Sequence, residues 1–250
     1  MSLISILIVC SLSFVVSILS ISVGGTSLIT VPVLISLGMI SKNAVATNMF
    51  ALIFLSMSGA IGFRKEIKLS YYKIIAFFSI LTICGSLIGA SLILAIEEDI
   101  LKKVIAIMIC FIASSFFLKK DFGIQERNEK ISKMKFGGGA LLIFILGIYG
   151  GFFSGGYVTF LSYVLILTFG LNFLQVAFIT KIFNIFSSSV ACIFFYYHTL
   201  IDFSVGIPLA FSMALGGFLG TKLAIAKGNL WIRSLFIFFV IILAIKLLIF

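Results

Sequence analysis

Two glycine-centred turns carry the first chemistry legible in the chain. One reads Ser22-Val23-Gly24-Gly25-Thr26-Ser27, the other Phe153-Ser154-Gly155-Gly156-Tyr157. Glycine permits a positive φ and close approach of backbones. A helix that begins just after such a turn leaves its first N–H groups unpaired and presents the positive end of its dipole. That combination attracts anions. Thr26, Ser27 and Ser154 add hydroxyl groups. Tight helix packing would explain either glycine pair taken singly. Recurrence of the pair favours a turn that lines a ligand.

Two polar stripes supply a second set. Ala177, Thr180, Lys181, Asn184 and Ser188 fall at i, i+3, i+4, i+7 and i+11, one face of a helix. Ala44, Thr47, Asn48, Ala51 and Ser58 make a similar, neutral stripe. Polar side chains within apolar segments turn inward, because lipid cannot satisfy them. No apolar segment contains an Asp or Glu that could neutralise Lys181. A buried ammonium needs a partner, and an anionic substrate would be one. Snorkelling of the long stem to the headgroups is the competing explanation. The candidate substrate-binding set is therefore Gly24, Gly25, Thr26, Ser27, Thr47, Asn48, Ser154, Gly155, Gly156, Thr180, Lys181 and Asn184.

Composition dictates what must position these residues. Apolar residues make up 62% of the 250 and charged ones 10%, with a mean hydropathy of +1.32. So few charges cannot cover a water-facing surface, which excludes a soluble globular enzyme and a disordered binder. Apolar runs fall at about 3–23, 26–40, 44–63, 71–96 and 100–118, then at about 138–154, 157–170, 173–197, 204–226 and 231–250. In lipid only a helix satisfies its own backbone over such runs. The expected fold is an all-α, polytopic transmembrane bundle of about 8–10 helices. The first run lacks a basic leader and a cleavage site, and is expected to be retained.

The order of features restarts after the charged stretch Lys119–Lys135. Gly24 and Gly25 recur at Gly155 and Gly156, and Gly85 and Gly89 at Gly216 and Gly220, all 131 residues on; Thr47 matches Thr180 at 133. Two homologous repeats follow, residues 1–118 and 137–250, joined by a cytoplasmic linker at 119–136. Duplicated halves are the usual build of secondary transporters. The second run of each half is short for a bilayer core of about 30 Å. If each run crosses separately, five segments per half invert the second repeat. Thirteen Lys and Arg then fall on one side and four on the other, the positive-inside distribution. That places the protein in the cell membrane with both termini outside. Counting the first two runs of each half as one crossing gives a poorer split, ten against seven.

The net charge of +10 belongs to this loop asymmetry, not to nucleic acid. Cys10, Cys84, Cys110 and Cys192 lie in apolar runs with no metal-ligand spacing. No HExxH, GxSxG or Walker loop is present. Neither catalytic residues nor a metal or other cofactor is expected. Gly85/Gly89 and Gly216/Gly220 have the GxxxG spacing of close helix packing. His198 stands at a helix end beside Asp202, and Trp231, Tyr71-Tyr72 and Tyr196-Tyr197 suit the aromatic belt.

The order of motifs resembles the sulfite exporter TauE/SafE family. The resemblance rests on Gly24-Gly25-Thr26-Ser27 leading to Pro32, on Ala44-Val45-Ala46-Thr47-Asn48, on the connection near Gly62 and Ile67-Lys68, and on Thr180-Lys181-Ile182-Phe183-Asn184. It covers essentially the whole chain. The second half departs from it, with Tyr163-Val164 where a proline is common. The resemblance implies export of small sulfur-containing anions, such as sulfite or organosulfonates, without enzyme activity or a prosthetic group. Another small metabolite as cargo, or a non-transporting membrane subunit, are the alternatives. The expected partners are the anion, the bilayer and, as an open option, a second copy in a homodimer.

Overall fold

The structure is a computed structural model that describes residues 2–97, 123–124, 126 and 132–249. The expected segment at 100–118 and most of the linker lie outside the described residues. The α-helices among the described residues are, in order, α1 (Leu3–Ser20), α2 (Thr26–Ser36), α3 (Ser41–Phe63), α4 (Tyr72–Ala95), α5 (Lys133–Phe152), α6 (Tyr157–Phe169), α7 (Phe173–Tyr197) and α8 (Phe203–Ile249). No strand occurs among the described residues. The last two apolar runs are two helices that meet at Gly228, whose φ of 75° and ψ of −174° are not helical; together they are labelled α8.

Local chemistry sets the ends. Ser2 accepts the Ser5 N–H at the start of α1, and Ser132 accepts the Lys135 N–H at the start of α5. Asn172 and Gln175 close a capping box on α7, so each satisfies an N–H that the helix start leaves unpaired. Asp202 Oδ1 takes the Ser204 N–H at 3.0 Å where α8 begins. By contrast α2 and α6 start from Gly25 and Gly156, both left-handed and neither with a side-chain cap.

Among the described residues, six helices are long and apolar enough to cross a membrane; Thr26–Ser36 and Tyr157–Phe169 are not. At 1.5 Å per residue these two reach about 16 and about 20 Å, against about 30 Å of hydrocarbon. The surface is apolar where lipid would lie, with Leu7, Ile88, Phe211 and Phe218 exposed. The interior holds the hydroxyls, including Ser17, Ser20, Thr30, Ser56 and Ser86, all 0% exposed. Lipid gives no hydrophobic reason to hide apolar surface, so this inversion of the soluble pattern is the one a bilayer favours.

The packing is reciprocal between the two sets of helices. α1 lies along α8 and α4 along α5, while α3 packs on both α7 and α8. Gly59 of α3 faces Lys181 of α7, and Ser56 bonds Asn184. The rising number on one helix meets the falling number on the other, so α3 and α7 run antiparallel. Along α1 and α8, Ser212 donates to Cys10 O while Gly220 meets Ile18, so these two run the same way. α3 also runs with α8, from the Gly206–Thr47 contact to Gly62–Thr221. α1 and α3 therefore point in one direction, and α2 folds back between them instead of continuing α1.

The GxxxG glycines sit at the reciprocal seams. A Cβ at Gly85 would stand 2.6 Å from Phe144 O and one at Gly89 would strike Ile148 O; at Gly216 it would meet Phe14 O at 2.5 Å and at Gly220 Ile18 O. These neighbours are backbone and cannot rotate away, so alanine forces two helices apart. We expect Gly89→Ala to cost at least about 1–3 kcal/mol, the range for overpacking, seen as a lower melting temperature in detergent. Gly138→Ala, where nothing lies within 4 Å, should leave it unchanged or raise it.

At one end of the bundle the described linker residues dock across both sets of helices. Glu126 accepts from Lys68 Nζ at 2.8 Å, Tyr71 OH at 2.9 Å and Gln175 Nε2 at 3.0 Å. The Lys68 ammonium, with these other donors, holds the carboxyl below its ordinary value despite partial burial. Asn229, next to Gly228, donates to Ile124 O at 3.2 Å and accepts the Leu174 N–H at 3.0 Å. The opposite end carries Asp202 and the Lys42 ammonium, which donates to Leu94 O at 3.1 Å.

Candidate functional site

The two glycine turns meet. Gly24, at φ +83°, lies so close to α6 that a Cβ there would stand 2.7 Å from Val158 Cβ and 3.1 Å from Thr159 N. From the other side, a Cβ at Gly155 would stand 2.9 Å from Leu28 Cδ2 of α2. Two polar ties fix the approach. Ser27 Oγ and Ser154 Oγ are 2.9 Å apart, and Thr159 Oγ1 donates to Val23 O at 2.9 Å. Tyr149 OH donates to Gly155 O.

Consequently the N-termini of α2 and α6 lie side by side inside the protein. The N–H groups of Thr26 and Ser27, and of Val158 and Thr159, have no acceptor among the described residues. Each helix start carries roughly half a positive charge. Two such poles in contact repel, and the repulsion is strong where the local dielectric is low. An anion between them would relieve it.

Polar side chains surround the first turn. Ser20 Oγ and Thr26 Oγ1 are 2.6 Å apart. Asn48 donates through Nδ2 to Ser27 Oγ at 2.8 Å and accepts from Thr30 Oγ1 at 2.5 Å through Oδ1. Lys181 is 2% exposed, and its Cγ and Cδ lie 3.0 and 3.2 Å from where a Gly59 Cβ would be, beside Ile21 Cδ1 at 2.9 Å. Ile21 leads directly into the Gly24-Gly25 turn, so Lys181 belongs to the same neighbourhood. Its stem packs on α3 rather than along lipid. The ammonium has no hydrogen-bond or ion-pair partner among the described residues.

One turn farther, Asn184 Nδ2 donates to Ser56 Oγ at 2.7 Å while its Oδ1 is buried without a donor. Ser22 Oγ and Ser188 Oγ are likewise buried and unpaired. A native interior leaves few such groups orphaned. They lie around α7 and the first turn and leave hydrogen-bonding capacity that polar cargo or water would fill.

The structure thus brings Gly24, Gly25, Thr26, Ser27, Asn48, Ser154, Gly155 and Gly156 into one network, with Lys181 beside it and Asn184 a turn away. Thr47 and Thr180 are 0% exposed, yet their hydroxyls are engaged elsewhere. Thr47 Oγ1 accepts the Asp202 N–H at 3.0 Å, and Thr180 Oγ1 donates to Ala177 O at 3.2 Å. Thr30, Ser56 and Tyr157 belong to the site and were not among the candidates. Thr30 was findable: it follows Ser27 by one helical step, on the same face. Nothing in the sequence pointed to Ser56, which enters only through the antiparallel crossing with α7.

This geometry agrees with the match of residues 9–247 to the family model described as sulfite exporter TauE/SafE. The chain belongs to the TauE/SafE family. Among TauE/SafE relatives, a "Probable membrane transporter protein" of Haemophilus influenzae is 29% identical over 89% of this chain and 86% of its own length. "Probable membrane transporter protein YfcA" of Escherichia coli K12 is 28% identical over 90% and 82%. "Probable membrane transporter protein ORF9" of a Sinorhizobium species is 25% identical over 90% and 85%. No solved structure matches the chain. The protein is a multi-pass membrane transporter of this family.

Proposed function

We propose that the protein exports a small sulfur-containing anion, sulfite or an organosulfonate, across the cytoplasmic membrane. One observation carries this reading: two uncapped helix N-termini meet, and an unpartnered lysine is buried, inside a bundle whose helices α1–α8 contain no Asp or Glu. Such a site is positive however its hydroxyls rotate. A cation would find no carboxylate there, whereas an oxyanion could accept from the amides of α2 and α6 and pair with Lys181. Thr26, Ser27, Asn48, Ser154 and Asn184 would orient its oxygens. Efflux from proteoliposomes loaded with sulfite, sulfoacetate, taurine or a neutral amino acid tests the reading. Sulfite or sulfoacetate should leave fastest. Efflux of the neutral amino acid alone would overturn it.

The same reading makes residues 1–118 and 137–250 inverted repeats around the linker 119–136, with Glu126 cytoplasmic and both termini outside. The antiparallel pairing of α3 with α7 and the reciprocal seams support this, as does the charge split between loops. Membrane-impermeant labelling of single cysteines at position 126 and after Phe250, in a background without the native cysteines, should react from opposite faces. Reaction from one face would exclude the arrangement.

A further inference from the structure

We propose that Lys181 is also the proton carrier of the transport cycle, so that each anion crosses together with one proton. The proposal rests on the anion reading and adds the coupling ion to it. It starts from an asymmetry between the repeats. Counted by the 133-residue offset of the α3 and α7 stripes, Lys181 stands where Asn48 stands in the first half. Asn48 is answered by Ser27 and Thr30 of α2. By the 131-residue offset of the turns, the corresponding residues of α6 are Val158 and Leu161. The second half has thus replaced a neutral, fully bonded amide with an ammonium and removed the side chains that would bond it.

While an anion is bound, the ammonium is paired. Once the anion leaves, a lone charge remains in a site sealed to 2% exposure. Closing an empty site over that charge is costly, whereas closing it over a neutral amine is not. On the release side the ammonium therefore gives its proton to water, forming hydronium and the free amine. The amine returns empty. It takes a proton from water on the loading side before the next anion binds. The balance is one proton and one anion moved per cycle.

Among the described residues no other ammonium or carboxylate is buried in the bundle; His198 at the C-cap of α7, and Asp202, whose N–H bonds Thr47, stand at the far end of α7. Of the helices packed on α7, α3 brings only Lys42, bonded to Leu94 O at the far end, and then Arg64, Lys65 and Glu66 in the turn beyond Phe63. α4 brings Tyr72 and Lys73 at its start and the exposed Cys84. α5 brings Lys133, Lys135 and Tyr149, the last bonded to Gly155 O. α6 brings Tyr157 and Tyr163, and phenols are acids too weak to cycle near neutrality. α8 brings Lys222, exposed over the Phe218 ring at 4.3 Å, then Lys227 and Arg233. On α7 itself Cys192, Tyr196 and Tyr197 lie three turns or more away, and Glu126 at the opposite end is held by Lys68.

The test uses sulfite and methanesulfonate in proteoliposomes with an internal pH dye. Methanesulfonate is the sharper probe because it carries no proton of its own near neutrality. Wild-type protein should release one proton with each methanesulfonate, and a pH gradient alone should drive accumulation. Arginine stays protonated, so in Lys181→Arg the ratio of pH-driven accumulation to anion–anion exchange should fall at least tenfold below the wild-type ratio, whatever exchange the wider guanidinium leaves. Wild-type accumulation driven by sodium or by membrane potential, with no proton movement, overturns the proposal and leaves the anion site standing. So does a Lys181→Arg protein that still accumulates the anion. If Lys181→Arg fails to fold, the wild-type proton count alone decides. If wild-type protein moves neither anion, the anion reading falls and the coupling with it.

Discussion

Lys181→Met is expected to abolish anion transport while leaving a folded protein. Methionine keeps the unbranched stem against Gly59 and Ile21 and removes only the charge. A buried charge pair that loses one member loses about 2–5 kcal/mol of interaction, so exchange should fall by about thirtyfold to several thousandfold. Stability should move the other way. An ammonium without a partner is a liability in the empty protein, and an apolar replacement of similar volume is neutral or stabilising. Size-exclusion profiles and melting in detergent should match or exceed wild type. Full exchange by a well-folded Lys181→Met protein would refute the role of Lys181 and leave the amides of α2 and α6 and the polar side chains of the turns as the remaining anion ligands.

Gly24→Ala should be the most damaging change in the turns. It imposes a left-handed backbone on a residue with a Cβ, at roughly 1–2 kcal/mol. It also drives that Cβ to 2.7 Å from Val158 Cβ and 3.1 Å from Thr159 N, which separates the two helix starts. Gly38→Ala makes the control. Gly38 has φ +93° and nothing within 4 Å of an added Cβ, so it bears the backbone strain without the collision. We expect Gly38→Ala to lower the melting point modestly and keep transport, and Gly24→Ala to lose both. Equal effects of the two would mean that the approach of the turns carries no function.

Much of this site was legible in the sequence, for identifiable reasons. A Gly-Gly pair that recurs at 131 residues announces a backbone requirement that no other residue meets, and both pairs lie at helix starts. Lys181 stands well inside an apolar run, and the absence of any carboxylate in those runs marks it as an ammonium in need of a partner. Helix limits were less accessible. α2 stops at Ser36, short of the apolar run, because Gly38 turns left-handed just beyond it. α5 starts at Lys133, ahead of its apolar run, because Ser132 caps it. A polar stripe also cannot say which neighbour claims each group. Thr47 shares a stripe with Asn48, yet its hydroxyl caps the Asp202 backbone near α8 while Asn48 serves the turn. Such choices depend on helix crossings, and one sequence does not contain them.

Anomalous diffraction from crystals soaked in selenite, the selenium counterpart of sulfite, tests the central claim most directly. If the convergent helix starts and Lys181 form the anion site, a selenium peak should lie within hydrogen-bonding reach of Lys181 Nζ and of the Thr26, Ser27 or Thr159 amides. The peak should vanish in Lys181→Met crystals. A selenium site elsewhere in the bundle, unchanged by Lys181→Met, would contradict it.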